Sequence, residues 1–164
     1  MFKVLMMRIL LILIVSTYTI YASQLNEDNK QREIDKKITL CNKGHLKTCV
    51  ALGILYSKGK EIPLDYHKSI QFYKKACDGG NAFGCLQYGG CYITNKGTQR
   101  DLVKAMQILT KACQGGNTLG CNILADGYLK GYGVIKDLTK AKQFYKKACD
   151  GGNKKSCIIL STLK

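Results

Sequence analysis

Cysteine is the residue type whose spacing in this chain carries the clearest chemistry. Of nine cysteines, Cys41, Cys77, Cys113 and Cys149 lie 36 residues apart, and Cys49, Cys85, Cys121 and Cys157 repeat the same interval. Each pair forms a C-x7-C element, written four times. Paired thiols can close disulfides, hold a metal ion or run thiol exchange. Structural zinc sites use C-x(2–4)-C and redox pairs use C-x-x-C. Neither spacing occurs, so no metal and no cofactor is expected. Disulfides fit better, as Cys41–Cys49, Cys77–Cys85, Cys113–Cys121 and Cys149–Cys157. Cys91 stands outside the frame. It reads either as a small buried hydrophobe or as a free thiol that pairs between molecules. A monomer and a Cys91-linked dimer are both open.

Other reactive types are sparse. Ser57-Lys58-Gly59-Lys60 spells S-x-x-K, in which a lysine can serve a serine nucleophile. Six serines in a lysine-rich chain make about one such match by chance, and S-D-N and K-T-G elements are absent. The catalytic reading of Ser57 and Lys60 therefore competes with that of a helix end dressed with solvated lysines. His45 and His67 are the only histidines, too few for a histidine metal cluster. Lysine and arginine number 26 against 11 acids, a net charge of +15. Lys74, Lys75, Lys111, Lys146, Lys147, Lys154 and Lys155 recur in register. After residue 22 only Arg32 and Arg100 supply the bidentate chemistry that base reading favours, so nucleic acid is not an expected partner. The lysines read first as solvated helix surface and otherwise as a basic face toward an acidic protein, an anionic surface or a wall polymer.

The elements that position these residues begin after an export segment. Lys3 and Arg8 precede an apolar run from Ile9 to Ile20, and Tyr21-Ala22-Ser23 follows. A basic start, about 12 apolar residues and a small residue at the end describe a secretory signal, cut after Ala22. The run is shorter than the ~20 residues that span a bilayer, so no membrane span is expected after cleavage. Residues 1–22 are read as the signal and 23–164 as one repeat domain. Removal of Lys3 and Arg8 leaves a charge of +13. Export makes disulfides the ordinary fate of cysteine and places the protein in the periplasm or outside the cell.

The remainder is one unit repeated, at about 29–64, 65–100, 101–136 and 137–164. Asp65, Asp101 and Asp137 share one register position, with Asn29 standing there in the first unit. Tyr56, Tyr92 and Tyr128 share another, as do Gly53, Gly89 and Ala125. Ser69, Phe72, Tyr73, Ala76 and Cys77 follow helical spacing, repeated by Ala141, Phe144, Tyr145, Ala148 and Cys149. Aspartate suits an N-cap, Gly-Gly suits a helix stop, and Asn81, Asn117 or Asn153 suits the next cap. Each unit therefore reads as two antiparallel helices. One cysteine sits in the last turn of the first helix and its partner in the first turn of the second. That brings Cα atoms to a separation near 5–6 Å, as a disulfide requires. A single 36-residue hairpin cannot bury a sufficient core, so the bridge holds it and stacking supplies the core.

The A-C-x-x-G-x-x-x-x-C phrase, the tyrosine after it and the 36-residue period resemble the Sel-one-like repeat, a relative of the tetratricopeptide repeat. The phrase Lys74-Lys75-Ala76-Cys77-Asp78-Gly79-Gly80-Asn81, its copy at residues 146–153 and the export signal are similar to the Helicobacter cysteine-rich protein family. The resemblance spans about residues 29–164. It implies an all-α, right-handed α/α solenoid of about four disulfide-bridged hairpins. A curved helical array exposes an extended concave face, so the expected function is a scaffold that binds a peptide, a protein or a cell-wall fragment there. Family members have been classed as weak beta-lactamases and penicillin binders, which is the alternative function the resemblance implies.

Overall fold

The computed structural model describes residues 2–163. The first residue of segment 1–22 and the last of segment 137–164 thus lie outside the described residues. Among the described residues eight helices follow in order: α1 (Phe2–Asn42), α2 (Leu46–Lys58), α3 (Tyr66–Asp78), α4 (Ala82–Thr94), α5 (Leu102–Gln114), α6 (Thr118–Lys130), α7 (Leu138–Asp150) and α8 (Lys154–Thr162). The chain divides into two compact units between Thr39 and Leu40.

The first unit is the bulk of α1. Ile9 to Val15 are exposed, as are Tyr18 and Ile20. The hydroxyls of Ser16, Thr17, Thr19 and Ser23 donate to carbonyls three residues back, at 2.8–2.9 Å. The helix thus satisfies its own polar groups along the apolar run, as a lipid environment requires. By length and composition Met6–Asn42 is able to cross a membrane, a test that signal sequences near an N-terminus also pass. This apolar helix is consistent with a signal sequence.

Asn29 does not cap a new helix, because α1 runs unbroken through it. No glycine or proline stands between Phe2 and Asn42, so nothing local stops the helix.

The second unit is an all-helical solenoid of bridged helix pairs. Asp65, Asp101 and Asp137 adopt extended backbone and accept from the N–H groups of Lys68, Lys104 and Lys140 at 2.9 Å. Asn81, Asn117 and Asn153 cap α4, α6 and α8 in the same way, accepting at 2.8–3.0 Å. Between them, the second glycine of each Gly-Gly pair takes φ of 91°, 87° or 95°, while the first stays near −80°. The Asn81 N–H reaches back to the Ala76 carbonyl at 2.9 Å, a Schellman closure repeated at Asn117 and Asn153.

These turns fold α3 on α4, α5 on α6 and α7 on α8. Cys41–Cys49, Cys77–Cys85, Cys113–Cys121 and Cys149–Cys157 are bonded, with Cα separations of 4.3–4.9 Å. The hairpins then stack, each second helix on the first helix of the next unit: α2 on α3, α4 on α5, α6 on α7. Small residues set this approach. A Cβ added at Gly53 would lie 2.5 Å from the Tyr73 ring, and one at Gly89 would lie 2.9 Å from Leu109. Leu52, Leu109, Leu124 and Tyr145 are fully buried. Tyr56 stacks on Phe72 at 5.6 Å and Tyr128 on Phe144 at 5.5 Å.

Candidate functional site

The chemistry-bearing residues separate cleanly. The eight framed cysteines are consumed by the bridges, and Cys91 is free and buried. His45 and His67 are exposed, and no group of metal-ligating side chains assembles among the described residues. Lysines of the register are partly engaged: Lys74 pairs with Asp78 at 2.5 Å, Lys146 with Asp150 at 2.7 Å, and Lys75 donates to Asn42 at 2.6 Å.

A groove of about 370 Å³ opens where the end of α2 meets α3 and α4. Tyr66, Ser69 and Tyr73 come from α3, and Gln87, Gly90, Cys91 and Thr94 from α4. Ser57 and Lys58 close one side and Lys96 the other. The repeat supplies its own reference for this lining. In the two following units Ser57 is replaced by Ile93 and Leu129, Ser69 by Ala105 and Ala141, and Gln87 by Ile123 and Ile159. Tyr66 is replaced by Leu102 and Leu138. Four polar departures from an apolar pattern therefore converge on one cavity. Gly90 contributes space, since a Cβ there would meet no atom within 4 Å. It sits inside a helix without a positive φ or a close neighbour to require it, where glycine is the less stable choice.

The hydroxyls have a defined polarity. Ser57 donates to the Ile54 carbonyl, Ser69 to Gly53 and Thr94 to Gly90, at 2.8–2.9 Å. Ser69 is fully buried; with their protons committed, the accessible oxygens of Ser57 and Thr94 are acceptors. The Tyr73 hydroxyl lies 3.4 Å from Ser57 Oγ, and burial raises its pKa above the usual tyrosine value. Lys96 stands 5.5 Å over the Tyr66 ring. The five ion pairs among the described residues involve neither Lys58 nor Lys96. No acid lines the groove. Cys91 is 9% exposed on its wall, and burial pushes its thiol up to about 11, against the pull of Lys96.

Of the S-x-x-K pair, the structure brings Ser57 to the groove and leaves Lys60 out of its lining. The hydrogen-bond partners of Ser57 are a backbone carbonyl and the Tyr73 hydroxyl, neither of which is a base that activates it. This arrangement lends lactam hydrolysis no support. Gln87, Gly90, Tyr66 and Lys96 were not singled out by motif reasoning. The signal that finds them is a column-by-column comparison of the repeats, in which Gln87 is polar where its counterparts are Ala51, Ile123 and Ile159.

A second polar cluster sits farther along. The buried Asn122 accepts from Ser156 Oγ at 2.8 Å, and its amide approaches Asp126 at 3.5 Å. The Tyr145 hydroxyl donates to Asp126. These groups satisfy one another, and no buried side-chain N or O lacks a partner among the described residues.

Comparison with known proteins agrees with this architecture. No curated protein sequence matches the chain. The Sel1 repeat matches at residues 47–81, 82–117 and 118–153, each running from a second helix through the first helix of the next unit. Among solved structures, a Sel1 repeat protein from Oxalobacter formigenes is similar, with a TM-score of 0.73 and 25% identity over 79% of this chain and 98% of that one. Cysteine-rich protein B of Helicobacter pylori has a TM-score of 0.65 and 30% identity, over 80% of this chain and 95% of that one. A protective antigen of uropathogenic Escherichia coli, c5321, with an SLR fold, has a TM-score of 0.70 and 28% identity over 73% of this chain. The chain spans only 26% of that antigen's length. Three consecutive matches in the 36-residue frame, on a stack of bridged hairpins, lead to one conclusion: the chain belongs to the Sel1 repeat family.

Proposed function

We propose that this protein is an exported, disulfide-stapled repeat scaffold that binds a peptide, a protein or a cell-wall fragment through the groove between α2, α3 and α4. The observation that carries the reading is the convergence of Tyr66, Ser57, Ser69 and Gln87 on one cavity, each departing from the apolar residue its repeat position holds in the two following units. Stacking alone would favour the apolar pattern. Export is supported by the apolar N-terminal helix and by four disulfides, which suggest an extracytoplasmic location.

Gly90→Phe tests the site. The added ring enters open space, so the hairpin folds and the groove is filled. Immobilised wild-type protein is expected to retain a component of the cell envelope or surrounding medium that the Gly90→Phe protein does not retain. Equal retention by both would remove the groove from the function. Export is tested separately by N-terminal sequencing of the mature protein. It is expected to begin at Ser23, whereas an intact Met1 in the membrane fraction contradicts cleavage.

A further inference from the structure

We infer that the edge of the solenoid formed by the Gly-Gly turns docks on an anionic phospholipid bilayer, with Phe83 and Leu119 entering the interface and lysines meeting the headgroups. This surface is distinct from the groove, and the inference stands independently of it. Each Gly-Gly turn joins a first helix to its own second helix, and the hairpins stack side by side, so residues 79–80, 115–116 and 151–152 share one edge. One register position on that edge is held by Lys47, Phe83, Leu119 and Lys155 in successive units, all exposed. Phe83 is 42% exposed and Leu119 49%. The lysines at either end of the column show that packing does not demand an apolar residue there. Scattered exposed apolar residues are ordinary, but two in one column on neighbouring hairpins face the same partner. Charge surrounds them. Lys111, Lys147 and Lys154 are exposed at the same edge, and the five ion pairs among the described residues engage none of these three, nor Lys47 or Lys155. The acids at the turns, Asp78 and Asp150, pair with Lys74 and Lys146 of their own helices. Lysine supplies point charge without arginine's planar fork, which suits a field of headgroups better than a shaped anion site. Gly80, Gly116 and Gly152 carry no side chain and stand in open space, so the turns can come close to a surface. Apolar side chains that bury shallowly beside lysines are how interfacial segments hold an anionic membrane.

The chain has no tryptophan, so one introduced residue reports its own surroundings. Phe83→Trp and, separately, Leu119→Trp place the reporter on the proposed edge. Ile135→Trp is the control, at a side chain 90% exposed in the loop between α6 and α7, at the opposite ends of the helices. Because the readout is local, membrane contact through the apolar α1 segment does not by itself produce it. The probes are vesicles of phosphatidylglycerol with phosphatidylcholine, and of phosphatidylcholine alone, with brominated acyl chains as the quencher. Emission from positions 83 and 119 is expected to shift to the blue and to be quenched on the anionic vesicles only, while position 135 does neither. In the Phe83→Trp protein, Lys111→Gln and Lys147→Gln should each weaken vesicle affinity about fivefold, and added salt should weaken it further. No shift at positions 83 and 119, an equal response on neutral vesicles, equal quenching at position 135, or unchanged affinity in both lysine variants overturns the inference. So does binding of soluble polyglutamate without any response to vesicles, which would assign the edge to an acidic protein.

Discussion

Tyr73, Leu109 and Tyr145 occupy one position of the repeat and meet three environments. Leu109 abuts Gly89, Tyr73 crosses Gly53 to reach Ser57, and Tyr145 donates to Asp126. Residue 126 is thus the carboxylate that orients the last of the three, and its other contact is Asn122. Replacing Tyr145 by Phe leaves the ring in place and removes one charge-assisted hydrogen bond, so a loss of about 1.5–3 kcal/mol is expected in a denaturant titration. An unchanged midpoint would mean that Asp126 is satisfied by solvent alone. Cys91 is governed by burial in the same way. At 9% exposure, with its thiol pushed up to about 11, it is protonated near neutrality and screened from collision. Folded protein is expected to titrate one thiol slowly with a disulfide reagent, faster as the pH rises toward 11. Non-reducing gels of wild type and Cys91→Ser should both show monomer; a dimer band lost in the variant would contradict this.

At the scale of the element, each hairpin is defined twice, by caps and by a bridge. Asp at the first cap, Gly at the left-handed stop and Asn at the second cap recur in three units with nearly the same geometry. The unit closed by Cys41–Cys49 lacks this set, since His45 caps α2 without a side-chain hydrogen bond. Asp101→Ala is therefore expected to cost about 1 kcal/mol, measured by thermal melting. Replacing Cys113 and Cys121 by serine frees a short loop in the unfolded chain. The chain-entropy relation gives a cost of about 2.5 kcal/mol. A melt unaffected by the double serine variant would show that stacking alone holds the hairpin. These elements were legible in the sequence because each signal is a single letter at a fixed period. Asn29 shows the converse. It sits in the right column, but the column does not record that an apolar, glycine-free segment leads into it and carries the helix through.

At the scale of the whole molecule, the buried tyrosines link stability to pH. Burial raises Tyr73, and burial together with the Asp126 carboxylate raises Tyr145, above the ordinary value of 10.0. The folded state then holds these protons more tightly than the unfolded chain. Their contribution is complete below about pH 10 and is lost as the pH climbs through the raised values. Alkaline unfolding, followed by helical circular dichroism with tyrosinate absorbance, should therefore begin above pH 10; a loss of stability between pH 7 and 9 contradicts this assignment. The groove was only half legible at this scale. Ser57 and Cys91 drew notice as letters, one as a motif and one as an odd thiol. Gln87, Tyr66 and Gly90 acquire meaning only when α2, α3 and α4 are placed side by side, because they lie in different helices and share no local motif. The claim on which the account stands is that eight cysteines staple consecutive hairpins and leave one thiol over. Peptide mapping of the non-reduced protein recovered from outside the cytoplasm tests it directly. The account predicts Cys41–Cys49, Cys77–Cys85, Cys113–Cys121 and Cys149–Cys157 with Cys91 free. A bond joining two different hairpins, or one engaging Cys91, would contradict it.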